Sequence, residues 1–123
     1  MQIPWHDPIR DQKELPVSRA PLPIRAGVVG RVGLLLLSCG TGAWRVRSSM
    51  NELSEALGLV CAADIGLTSI EYTCSDGQDC FSQTLTLTAT GVNTAKLDRL
   101  ERFVKRFPIE GVYMTADDLH TRL

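Results

Sequence analysis

The segment 38–47 combines hydroxyl groups, flexible backbone and two guanidinium groups at a break between two predicted helices. Ser38 and Thr41 supply the hydroxyls, while Arg45 and Arg47 supply the positive charge. Guanidinium groups bind carboxylates in a planar, two-bond geometry, so the segment is a candidate site for a small acid. The alternative is an ordinary helix-helix turn in which Arg45 pairs with a nearby acid such as Glu52.

Four cysteines lie at positions 39, 61, 74 and 80, and no two have the C-x2-C spacing that holds zinc from a tight turn. Cys74 and Cys80 flank a turn-forming stretch, so a hairpin there could place their sulfurs opposite one another. A disulfide and half of a metal site are both open alternatives. Small buried thiols are the simpler interpretation, because no secretory signal precedes them.

Other residues that could do chemistry favour structural roles. His6 and His120 lie near the two chain ends, so neither predicts the positioned base that a catalytic relay needs. Asp76 and Asp79 lack the remaining ligands of a calcium loop. Glycines at 27, 30 and 33 lie inside a predicted helix rather than between a strand and a helix, which favours close packing over phosphate binding. The sequence therefore predicts no enzyme, no cofactor and no metal site.

Hydrophobic periodicity predicts the elements around these residues. Five of the six prolines lie at positions 4, 8, 16, 21 and 23, which predicts a disordered Pro-rich leader over 1–23 and a folded domain over 24–123. The fold class expected is α+β: two N-terminal helices, a two- to three-stranded antiparallel sheet, then one longer and one short helix. The predicted elements are helices at 24–39 and 43–57, a strand at 60–65, strands around 70–74 and 85–89 joined at Asp76-Gly77, a helix over 97–107 capped by Asn93, and a short helix after Thr115.

Composition excludes several classes of protein. With 13 basic and 14 acidic residues the formal charge is -1, so no overall field attracts nucleic acid or anionic lipid. The uncharged stretch 32–44 is shorter than the roughly 20 residues that span a membrane, which favours a buried helix in a water-soluble chain.

The ordered part of the chain resembles the N-terminal cytosolic domain of the threonine/serine exporter family over about 24–121. The shared order and spacing of several modest motifs carry the resemblance. The matching residues are 33–40 (GLLLLSCG), 44–46 (WRV), Met50, 56–59 (ALGL), 64–70 (DIGLTSI), 91–93 (GVN), 97–100 (LDRL) and 111–119.

The resemblance implies a role in proton-driven export of small amino acids such as threonine and serine, or of dicarboxylates, on the cytosolic side of the bacterial inner membrane. It implies a membrane-spanning region or subunit as partner and leaves homo-oligomer formation open. This chain departs from the family pattern at Gly42 and Arg47, where acidic residues are usual, and at Leu85, where an arginine is common. We expect the chain to lack the membrane-spanning part. A stand-alone binding or regulatory module is the alternative function.

Overall fold

A computed structural model describes residues 16–87 and 94–122. The predicted α+β class is confirmed, and all three expected strands are present in one antiparallel sheet of order β1-β2-β3. In chain order the elements are a short 3-10 helix Val17–Arg19, α1 Leu22–Ser38, α2 Ala43–Ala56, β1 Val60–Ile65, β2 Ser69–Ser75, β3 Cys80–Thr86, α3 Thr94–Arg106, a 3-10 helix Gly111–Tyr113 and α4 Ala116–Arg122.

Helix α1 is the central element of the fold. It begins at Leu22, two residues before the predicted start, because Pro23 is tolerated in a first turn whose backbone N–H groups have no partner within the helix. Most of its circumference is buried against α2, α4 and strands β2 and β3. It ends at Ser38, and Gly40 then takes a positive φ of 81° that turns the chain toward α2.

Helix α2 and the sheet enclose the other side of this core. Val46, Met50 and Leu53 form the buried face of α2, as their spacing predicts. In β2 the alternate residues Ile70, Tyr72 and Cys74 are buried while Glu71 is exposed. The sheet therefore has one face on the helices, which is the usual arrangement for a half-buried antiparallel sheet.

The hairpin between β2 and β3 has the turn that the Asp76-Gly77 pair predicts. Gly77 has a φ of 95°, and the Asp76 carboxylate accepts the backbone N–H groups of Gln78 and Asp79 over 2.9 and 2.8 Å. Strand β3 runs from Cys80 to Thr86, so it both starts and ends earlier than the predicted strand around 85–89. Residues 88 and 89 and the predicted cap Asn93 lie outside the described residues.

The C-terminal elements close the core from the side of α1. Leu100 and Val104 form the buried stripe of α3, and Phe107, the residue that follows the helix, continues it. Thr115 caps α4 by accepting the backbone N–H of Asp118 over 3.1 Å, as predicted. Residues 1–15 of the predicted leader lie outside the described residues, whereas Val17 is fully buried and its N–H donates to Met114 over 2.7 Å. Packing thus starts upstream of residue 24.

Candidate functional site

The junction between α1 and α2 forms one wall of a groove. The facing wall is the turn between β1 and β2, and the cavity between them has a volume of about 510 Å³. Thr41 is the lining residue with a polar side chain, and Gly66 brings the opposite backbone close. The remaining lining residues are Leu37, Gly40, Gly42, Ala43, Ile65 and Leu67.

The four residues predicted to form a carboxylate site are not brought together. The Ser38 hydroxyl donates to the Leu35 carbonyl over 2.6 Å, within its own helix. Arg45 and Arg47 are two positions apart on α2, and residues at that spacing point to different sides of a helix. Of the four residues, Thr41 lines the groove, and the prediction of ligand binding at this junction stays a prediction.

Each arginine of the junction has a separate structural partner. Arg45 lies 3.4 Å from the Glu101 carboxylate on α3, rather than pairing with Glu52 as the sequence suggested, and its guanidinium lies 5.6 Å from the centre of the Trp44 ring. Arg47 donates from Nε to the Ala63 carbonyl over 3.2 Å, which ties α2 to β1. Both contacts are exposed, so the guanidinium groups remain in water.

Two cysteines are direct neighbours in the sheet, but they are not the pair that the sequence suggested. Cys74 lies opposite Cys61, while Cys80 lies opposite Ser75. The hairpin turn spans 76–79, so Ser75 rather than Cys74 lies opposite Cys80. The antiparallel register of β1 and β2 then places Cys61 opposite Cys74. All four cysteines are free thiols.

Hydrogen bonding shifts the pKa values of the two neighbouring thiols in opposite directions. A hydrogen bond from Cys74, with a smaller contribution from Ser54, lowers the pKa of Cys61 to about 7 against the opposing effect of burial. The bond to Cys61 and burial raise the pKa of Cys74. The more exposed Cys61 is therefore the stronger nucleophile of the pair.

Within 16–87 and 94–122, no group of three His, Cys, Asp or Glu side chains is arranged to hold a metal ion.

His120 is held more firmly than its position near the end of the sequence suggests. It is 3% exposed, and Arg31 donates to its carbonyl over 2.7 Å. The same guanidinium lies 3.1 Å from the imidazole Nδ1. This contact joins α4 to the middle of α1, which gives the histidine a structural role in the described fold.

A second cavity, of about 270 Å³, lies along α3, and sequence reasoning missed it. Arg99, Arg102 and Arg106 line it at positions i, i+3 and i+7 of the helix. That spacing was the available signal, but from the sequence alone Arg99 and Arg106 are expected on the solvated outer face of the helix. The other lining residues are Phe103, Phe107, Glu110, Gly111 and Met114.

These features define a small α+β domain whose described residues form a surface cavity at a helix junction and another on a basic helix. A family model described as "putative threonine/serine exporter" matches residues 27–123, from the first turns of α1 to the end of the chain. The chain belongs to this family. Comparison with curated proteins and with solved structures gave no match. No helix in the described part of the chain is long and apolar enough to cross a membrane.

Proposed function

We propose that this chain is the N-terminal cytosolic domain of a threonine/serine exporter and works with a membrane-spanning partner region or subunit. The observation that carries the proposal is the family match over residues 27–123, which begins within α1 and includes the described helices and strands that follow it. The bacterial inner membrane, with this domain on its cytosolic side, is the proposed location. Threonine and serine are the proposed solutes.

Within that role, the groove at the α1–α2 junction is the proposed point of contact with a small amino acid. Its wall carries the Thr41 hydroxyl, and Gly40 and Gly42 leave backbone groups within reach of a ligand. A volume of about 510 Å³ lies within the roughly 300–1,000 Å³ range of small-molecule sites. The same groove supports the second candidate function, a stand-alone binding module.

An efflux assay tests the export proposal. Cells loaded with threonine or serine would express the membrane-spanning partner with or without this chain, at equal membrane-protein levels. We expect efflux of at least one amino acid to require the chain. Equal efflux in its absence would overturn the proposal.

Variants then test the junction. Thr41→Val is expected to reduce efflux, with Ser48→Ala as a control at an exposed position of α2 that does not line the groove. Arg45→Ala, which removes the Glu101 contact, should leave efflux unchanged if Arg45 is purely structural.

Calorimetric titration separates the two candidate functions. Threonine, serine and succinate would be titrated into the chain alone, with Thr41→Val as the matched variant. Binding that weakens in Thr41→Val, without any requirement for the chain in efflux, would favour the stand-alone module. Absence of heat with all three ligands would reject ligand binding by this groove in the isolated chain.

A further inference from the structure

We propose that the cavity along α3 binds a phosphate group attached to an apolar body, such as a phosphate monoester or the headgroup region of an anionic phospholipid. Arg99, Arg102 and Arg106 supply the charge in the lining of this cavity, and Phe103 and Met114 supply apolar surface. It is distinct from the junction groove, and its ligand binding does not depend on the export proposal.

The charge around this cavity is incompletely balanced. Arg102 pairs with Asp98 over 2.6 Å, one helical turn away. Among the described residues, Arg99 and Arg106 have no acidic partner. Glu110 is one acid on the cavity wall against three guanidinium groups, so an excess of positive charge faces the cavity.

Glu101, the neighbouring acid on α3, does not neutralise the positive charge at the cavity. Glu101 faces α2, where its carboxylate lies 3.4 Å from Arg45. Residues at i, i+3 and i+7 share one side of a helix, so the three cavity arginines are displayed together and away from that contact. The positive charge is therefore local, although the whole chain carries a formal charge of -1.

The charge and donor geometry favour phosphate over a single carboxylate. Each guanidinium offers a planar fork of donors, and a phosphate group presents more acceptor oxygens and more negative charge than a carboxylate. A phosphate can thus be shared by two or three arginines at once. The paired Arg102 is already oriented by Asp98, which reduces the ordering that binding would require.

The apolar residues of the cavity lining favour a phosphate that is attached to an apolar group. The rings of Phe103 and Phe107 lie 5.7 Å apart at 54°, and Phe107 is 1% exposed, so this part of the lining is anchored in the core. Phe103 and Met114 are only partly buried. A volume of about 270 Å³ accommodates a headgroup and the first carbons attached to it rather than a large ligand.

Titration of the chain with inorganic phosphate and with hexyl phosphate at low salt tests the site. Hexyl phosphate should bind more tightly, because its chain contacts Phe103 and Met114. Arg106→Gln should weaken hexyl phosphate binding roughly tenfold, the scale of one charge-assisted hydrogen bond, and Arg99→Gln should act in the same direction. The matched control is Lys105→Gln, which removes the same charge from the adjacent exposed residue outside the cavity.

NMR on the unmodified chain gives a readout that does not depend on variant folding. Hexyl phosphate should shift the Nε–H signals of Arg99 and Arg106 and the amide of Gly111. Absence of binding, shifts confined to other surfaces, or an equal loss of affinity in Lys105→Gln and Arg106→Gln would overturn the proposal.

Vesicle binding distinguishes the two sources of phosphate. Vesicles of phosphatidylglycerol in phosphatidylcholine would be compared with pure phosphatidylcholine. Retention on the anionic vesicles that is lost in Arg106→Gln but not in Lys105→Gln identifies a lipid headgroup. Hexyl phosphate binding without vesicle binding identifies a free phosphate monoester.

Discussion

The hydroxyl of Tyr72 in β2 donates a hydrogen bond to the main-chain carbonyl of Ala26 in α1 over 2.8 Å. The same hydroxyl lies 3.1 Å from Oε1 of Gln83 on β3, so it joins both strands to the central helix. Burial is the main cause that raises the pKa of Tyr72, followed by the nearby cysteines, which keeps the phenol neutral and able to donate. The ring is 1% exposed and therefore occupies a fixed place in the core.

This contact predicts opposite effects for two glycines of α1. A Cβ at Gly30 would lie 2.6 Å from Cζ of Tyr72, whose ring is held by Ala26, whereas a Cβ at Gly27 would meet nothing within 4 Å. Gly30→Ala should lower the free energy of unfolding by about 1–3 kcal/mol through overpacking. Gly27→Ala, the control, should raise it by about 0.5–1 kcal/mol, the gain of alanine over glycine in a helix.

Denaturant unfolding of both variants measures these changes. Because both substitutions add the same methyl group to the same helix, helix propensity cancels in the comparison. Equal stability changes at the two positions would show that Tyr72 can move away from α1.

The hairpin turn predicts a pH dependence centred on Asp76. Backbone hydrogen bonds from Asp79 and then Gln78 hold the pKa of Asp76 below its ordinary value. A carboxyl with a lower pKa in the folded state stabilises the protein above the unfolded-state pKa, about 3.9, and that contribution is lost as pH falls through the folded-state value. Asp76→Asn retains an acceptor oxygen but does not titrate. Its unfolding free energy should therefore fall less steeply than that of the unmodified chain below about pH 4.

Unfolding curves collected from pH 6 down to pH 2 measure this difference. The gap between the two proteins should be constant at the upper end, where the carboxyl is ionised in both folded and unfolded chains. Parallel curves over the whole range would contradict the role assigned to these backbone hydrogen bonds.

Local pattern predicted the elements of this fold well, since each helix and strand has its own apolar period. The α1 stripe and the alternation in β2 identify both the element and its buried face. The errors lie at the ends of helices and strands, where local contacts determine the residue at which the element starts or stops. The early start of α1 at Leu22 depends on how proline behaves in a first turn, and the end of β3 at Thr86 depends on pairing with β2.

The candidate sites could be predicted only in part, because they depend on contacts between distant parts of the sequence. The junction groove needs the β1–β2 turn as its second wall, and Thr41 alone of the four predicted residues lines it. The cysteine pairing needs the strand register, which a one-residue slip would change completely. The α3 cavity needs Gly111 and Met114 to return beside the arginines.

The contact between Arg45 and Glu101 predicts a small coupling energy. The two side chains are 51% and 35% exposed, and exposed ion pairs typically contribute about 0–1 kcal/mol. A double-mutant cycle with Arg45→Ala and Glu101→Ala should give a coupling in that range that decreases as salt is added. The control cycle pairs Arg45→Ala with Glu52→Ala and should be additive. A larger coupling to Glu52 than to Glu101 would contradict the structure and restore the partner that the sequence suggested.

The cross-strand thiols predict how fast Cys61 reacts as pH changes. Iodoacetamide reacts with the thiolate, so the alkylation rate should rise with pH and reach half its maximum near the Cys61 pKa of about 7, below the roughly 8.5 of an ordinary thiol. Peptide mass spectrometry of briefly alkylated protein reports Cys61 separately from the other three cysteines.

Substitution of the neighbouring thiol tests the cause of this shift. Cys74→Ala removes the largest contribution to the lowered pKa, so the alkylation midpoint should move to higher pH. Cys74→Ser keeps a hydrogen-bond donor opposite Cys61 and should leave the midpoint closer to that of the unmodified chain. Ser54→Ala should produce a smaller rise than Cys74→Ala, because Ser54 contributes less to the lowered pKa. An unchanged midpoint in Cys74→Ala would mean that the cross-strand hydrogen bond does not activate Cys61.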